Sequence, residues 1–172
     1  YPINGLFYAT EPRTPIQHLH EISFPLILWG YQASNLVETE MTFEVLKTLA
    51  GRFWGNEAAA DFSTDKGKAK AAVIIQNRQY LYESLILCNF TWPITYIPGG
   101  EDLVGDPTLE SKIVHAVTGK DLDVDQLSSV GERIFNLQRA ILVREGWNGR
   151  SDDKLAEYNY TVPIRKDNLN YH

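Results

Sequence analysis

Cysteine is almost absent from this chain: Cys88 is the only one in 172 residues. No disulfide can therefore close within it, and a single thiol fits a reducing compartment. Basic runs are also missing. With 16 Lys and Arg against 22 Asp and Glu, a net charge of -6 and a pI near 5.2, the chain has no cationic face to neutralise nucleic-acid phosphates. Long apolar stretches are missing too, since runs such as 22–29 and 85–87 fall far short of the roughly 20 residues a membrane span requires. No signal peptide opens the chain. These absences lead to the expectation of a cytoplasmic protein with no nucleic-acid partner and no membrane span. There is no Gly-rich phosphate loop, no Ser-His-Asp arrangement and no convincing pair of carboxylates, so kinase and hydrolase chemistry find no support. The first residue is Tyr1, and the chain is read as a fragment of a longer protein.

What is present is enough apolar material for a substantial core: 44% hydrophobic against 22% charged residues, one domain or two small ones. Prolines at 2, 12, 15 and 25 crowd the first 35 residues, which predicts an irregular, packed opening segment without a long helix. Met41, Val45, Leu49 and Phe53 then recur every fourth residue, with Glu38, Glu40 and Glu44 toward the start, predicting a helix over 39–53. Residues 71–90 contain neither Pro nor Gly until Trp92-Pro93, predicting a largely buried helix that ends close to Cys88. The run Pro98-Gly99-Gly100-Glu101-Asp102 is a loop by its turn chemistry and divides the chain into segments 1–97 and 98–172. In the second segment, Asp106-Pro107 opens a helix that Gly119 stops. Asp123 and Gln126 form a capping box before Leu127, Val130, Ile134, Leu137 and Ile141, whose three- and four-residue steps run on to Gly146. The two are expected to pair antiparallel, followed by a polar tail over 147–172 that wraps back or docks on a partner. Nothing alternates with period two, so the fold class is all-α.

Three stretches carry a resemblance. Gly119-Lys120-Asp121-Leu122, then Gly131 to Arg139 with Arg133 and Asn136 between them, then Arg144-Glu145-Gly146 and Asp152-Asp153, resemble the C-terminal block of the aldehyde:ferredoxin oxidoreductase family. Singly, those arginines describe a solvated helix face; together with the Gly stop and the double Asp they favour kinship. Gln76-Asn77-Arg78 followed by Glu83-Ser84-Leu85-Ile86-Leu87-Cys88 resembles the family segment D-x-x-G-L-C, with Glu for Asp and Ile86 for Gly. Tyr8 to Arg13 followed by His18-Leu19 resembles the family's Pro-Arg segment with a histidine near the metal.

The resemblance implies the C-terminal helical domains of a tungsten- or molybdenum-bis-pterin enzyme, an irregular helical array acting on an aldehyde/carboxylate couple with a ferredoxin-like electron carrier. It implies that Cys88 ligates one corner of a [4Fe-4S] cluster whose other thiolates lie outside this chain, in the remaining domains or chains of the enzyme. It implies cofactor contacts at Glu83, Leu87 and His20, and a proton-handling or hydrogen-bonding role for His18. Against these stand plainer readings: a lone cysteine is usually a small buried hydrophobe, a glutamate on a helix is usually solvated, and a histidine is as often structural. His18, His20 and Glu21 can also be read as a His-x-His-Glu metal motif, but one without helical ligand spacing. Two alternatives stay open, the tungsten subunit of a class II benzoyl-CoA reductase and a non-catalytic helical interaction module that kept the fold.

Overall fold

The computed structural model describes residues 2–12, 16–88 and 90–161, with the side chains of all of these except residues 2 and 16–20. The chain is all-α. Among the described residues seven α-helices follow in order, α1 (Pro2–Thr10), α2 (Ile16–Ala33), α3 (Phe43–Trp54), α4 (Lys68–Leu85), α5 (Leu109–Thr118), α6 (Val124–Arg144) and α7 (Tyr158–Thr161), with 3₁₀ turns at Glu57–Ala60 and Gly149–Ser151. Among the described residues there is no strand, only an isolated antiparallel bridge between Tyr96 and Val104. No helix among them is long and apolar enough to cross a membrane.

The opening segment differs from the expectation of irregular structure: it is two helices. Its prolines occupy positions that helices tolerate. Pro2 begins α1, where a missing N–H costs nothing, and Pro12 falls just after that helix ends. Pro25 is inside α2 and fully buried, so the packing it gains offsets the hydrogen bond its ring removes. The helix expected over 39–53 begins instead at Phe43, because Thr42 caps it by accepting from Val45 N–H at 3.3 Å. Thr39 instead ties the preceding loop to α2, its hydroxyl donating to the Leu28 carbonyl and its N–H to Gln32 Oε1.

α4 is the hub, packing against α1, α2, α3 and α6. It therefore buries residues around most of its circumference, including Ala71, Ile75, Gln76, Gln79, Tyr80 and Tyr82. On one side Ile75 joins Ile3, Phe7, Ile22, Met41, Leu49, Phe53 and Trp54 in the main core. On the other, Leu81 meets Leu127 of α6 and Val114 of α5 in a smaller cluster. The main partner of α6 is thus α4 and not α5, contrary to the simple helix pair that the short α5–α6 loop predicts. The expected capping box does start α6: Asp123 accepts from Gln126 N–H, and the Gln126 side chain accepts from Asp123 N–H. The Asp106-Pro107 start of α5 is displaced to Leu109, with Asp106 instead accepting from the N–H and hydroxyl of Thr108 and from Lys112.

Candidate cofactor-facing site

The helix expected over 71–90 stops at Leu85, five residues early. Ile86 adopts a left-handed conformation (φ 57°, ψ 37°), its N–H reaching the Glu83 carbonyl at 3.3 Å while Leu87 N–H reaches the Tyr82 carbonyl at 3.0 Å. This is the Schellman closure that helices make most cheaply with glycine. It gives a conformational reason for the Gly that the D-x-x-G-L-C pattern has at this position, and it corrects the idea that Glu83 and Cys88 share one helix. Glu83 is exposed on the last turn of α4, Leu87 is half-buried, and Cys88 sits beyond the turn on the surface.

Cys88 is held by its neighbours. Its carbonyl accepts from the N–H groups of Thr91 and Trp92 at 3.1 and 2.9 Å, closing the loop around it. Its thiol is pulled below the usual cysteine value, chiefly by the Phe90 N–H, which partial desolvation opposes, and further by the N–H and hydroxyl of Thr91. Donors aimed at a sulfur favour its thiolate form. The plainer reading, a buried small hydrophobe, does not describe an exposed residue of this kind.

Behind this loop lies a buried polar wall that the sequence did not disclose. Glu21 of α2 is 3% exposed and pairs with Arg78 of α4 at 2.5 Å, and Gln79 donates to its other oxygen at 3.4 Å. Arg78 also donates to the Phe53 carbonyl at 2.9 Å and lies over the Phe53 ring. Glu110, at the start of α5, accepts from Tyr82 Oη at 2.6 Å and Trp92 Nε1 at 2.8 Å, so the loop carrying Cys88 is anchored to the second segment. Burial raises the Glu21 carboxyl, with Arg78 pulling the other way. Tyr82 is raised well above its ordinary value by burial and stays a neutral donor. Glu21 and Arg78 are 57 residues apart, and no local spacing signals such a pair.

The three resembling stretches meet in space. Glu11, buried at the end of α1, accepts from Gln76 Nε2 and from Tyr80 Oη, the latter at 2.8 Å. Arg139 of α6 donates to the Thr10 carbonyl at 3.3 Å and spans both oxygens of Asp153 at 2.7 and 2.8 Å. Trp147 donates to the same carboxylate and lies under the guanidinium. The described part of the tail thus wraps back toward α1. Arg133 and Asn136 are exposed, as a solvated face requires.

The side chains of His18 and His20, on the first turns of α2, lie outside the described residues. Glu21, the third member of the His-x-His-Glu reading, is committed to Arg78. Among the described residues no group of three or more His, Cys, Asp or Glu is placed to hold a metal ion. Cys88 accordingly fits a cluster only as one ligand among others, and Glu83 is accessible to a cofactor packed over the end of α4.

Residues 2–170 match a family model described as aldehyde ferredoxin oxidoreductase, domains 2 & 3. No solved structure matches the chain.

Proposed function

This chain belongs to the aldehyde ferredoxin oxidoreductase family, and from that premise we propose that it serves as the cofactor-facing helical part of a tungsten- or molybdenum-pterin, iron–sulfur oxidoreductase acting on an aldehyde/carboxylate couple. In this reading Cys88 gives its thiolate to one corner of a [4Fe-4S] cluster, the other three thiolates coming from the rest of the enzyme. Glu83 accepts hydrogen bonds from the pterin ring, and Leu87 packs beside it. His20 is a further cofactor contact, and His18 holds or moves a proton near the metal. When bound, the pterin-held metal would supply two-electron chemistry and the cluster a route for those electrons toward a ferredoxin-like carrier. What this chain supplies is position. The Schellman turn at Ile86 aims residues 87–92 off the helix axis, and Glu110, through Trp92, fixes the loop against α5.

One observation carries the reading: the only cysteine of the chain is exposed, and backbone N–H groups of Phe90 and Thr91 favour its thiolate. Hydrogen bonds to sulfur are among the features by which proteins tune iron–sulfur clusters. Metal analysis of the intact native enzyme tests the proposal. Iron together with tungsten or molybdenum, and bleaching of the cluster absorbance on adding an aldehyde, is the expected result. An enzyme free of all three metals would make this chain a non-catalytic helical module.

A further inference from the structure

Hydrogen bonds close the chain around Cys88 into a ring. Leu87 N–H donates to the Tyr82 carbonyl at 3.0 Å, and Trp92 N–H donates to the Cys88 carbonyl at 2.9 Å. Thr91 adds its N–H and its hydroxyl to the same Cys88 oxygen, at 3.1 and 3.2 Å. The side chains of Tyr82 and Trp92 then meet on one atom. Tyr82 Oη and Trp92 Nε1 both donate to Glu110 Oε1, at 2.6 and 2.8 Å. Tyr82 thus holds the helix side of the turn, Trp92 holds the loop side, and Glu110 of α5 joins the two.

Glu110 is a firm anchor for this ring. It is 7% exposed and stands in the first turn of α5, where the helix N-terminus favours a carboxylate. A carboxylate only accepts, so both donors have to point at it. Tyr82 is fully buried on α4 and cannot follow a moving loop. A displaced Trp92 would therefore leave its bond to Glu110 behind, at the cost of a half-buried indole N–H without its acceptor. The place of Cys88 relative to the end of α4 is in this way set from α5. A negative charge held just behind the loop also opposes the arrival of an electron beside Cys88.

We propose that Glu110 is a positioning residue for the cluster: acting through Trp92, it fixes where the Cys88 sulfur stands and, by its charge, holds the reduction potential down. The inference rests on the reading of Cys88 as a cluster ligand. Two variants of the intact enzyme separate its parts. Trp92→Phe keeps a ring and the charge but removes the indole donor, so the reduced cluster should show altered electron paramagnetic resonance g-values and lose iron to a chelator several-fold faster. Glu110→Gln keeps an oxygen that both donors can reach but removes the charge, so iron should be retained at the native release rate while the reduction potential rises. A role confined to folding would move the melting temperature and leave the g-values and the potential as they were. Native g-values and release rate in Trp92→Phe, or a native potential in Glu110→Gln, would overturn the proposal. Cys88→Ser distinguishes this failure from a deeper one. A cluster signal that Cys88→Ser alters but Trp92→Phe and Glu110→Gln do not removes only the role of Glu110, whereas a signal that Cys88→Ser leaves native removes the ligand reading beneath it.

Discussion

A β-carbon on Gly131 of α6 would stand 2.0 Å from the backbone oxygen of Asn77 on α4. The two helices are in backbone contact at this point, and only glycine allows it. Since α4 also carries Glu83 and leads into Cys88, this contact sets how the second segment sits on the candidate site. Gly131→Ala should cost roughly 2 to 3 kcal/mol, because a backbone oxygen cannot step aside as a flexible side chain can. Urea unfolding monitored by far-ultraviolet circular dichroism measures it; a loss below about 0.5 kcal/mol would show that α6 is not seated this closely.

Glu21 and Arg78 form a buried pair whose halves are costly to separate. Arg78→Met leaves a buried carboxylate without its cation and should cost on the order of 3 to 5 kcal/mol near neutral pH, while the double variant Glu21→Gln, Arg78→Met recovers part of that. The pH dependence follows from the direction of the Glu21 shift. A carboxyl raised above its ordinary value of 4.5 favours the folded state below that value, and the contribution is lost as pH rises through the raised value. Removing Arg78 raises it further, so the defect of Arg78→Met should shrink as pH falls toward 4.5. A defect independent of pH would contradict this account.

Asp106 runs the other way. Lys112, then the hydroxyl and N–H of Thr108, hold its carboxyl at about 2, below the ordinary value of 3.8. Its contribution is present above 3.8 and is lost as pH falls through about 2. Its side chain is 39% exposed, so screening limits the contribution to roughly 1 kcal/mol or less. Asp106→Asn should lower stability by that amount at pH 7, and the difference should fade in thermal melts between pH 4 and 2.

Ile86 sits at a left-handed helix end with its side chain 91% exposed. A β-branched residue pays about 1 to 2 kcal/mol for that conformation. Ile86→Gly gives up little packing and should gain roughly 0.5 to 1 kcal/mol after the added entropy of an unfolded glycine. Equilibrium unfolding that shows a loss would contradict the strain argument.

Helix-forming patterns were readable where apolar spacing is regular and caps are explicit, as at Asp123 and Gln126 or in the four-residue steps from Met41 to Phe53. α1 and α2 were hidden because proline reads as a breaker, whereas Pro2 sits at a helix start and Pro25 is paid for by burial. The end of α4 was hidden for the opposite reason, since neither Gly nor Pro marks Ile86, and only the fold forces it left-handed. Of the site, the resemblance pointed to Cys88 and Glu83, and it ran through Arg139 and Asp153 without pairing them. Neither the resemblance nor the spacing pointed to the pairing of Glu21 with Arg78 or of Glu110 with Trp92, contacts across long stretches of chain that no local pattern encodes.

The most direct test of the account is iron content and electron paramagnetic resonance of the intact enzyme carrying Cys88→Ser. Cys88 is exposed and off the helix, so the substitution should leave folding of this chain unchanged while the cluster signal is lost or altered and electron transfer stops. Full iron with an unaltered cluster signal in that variant would contradict the central claim.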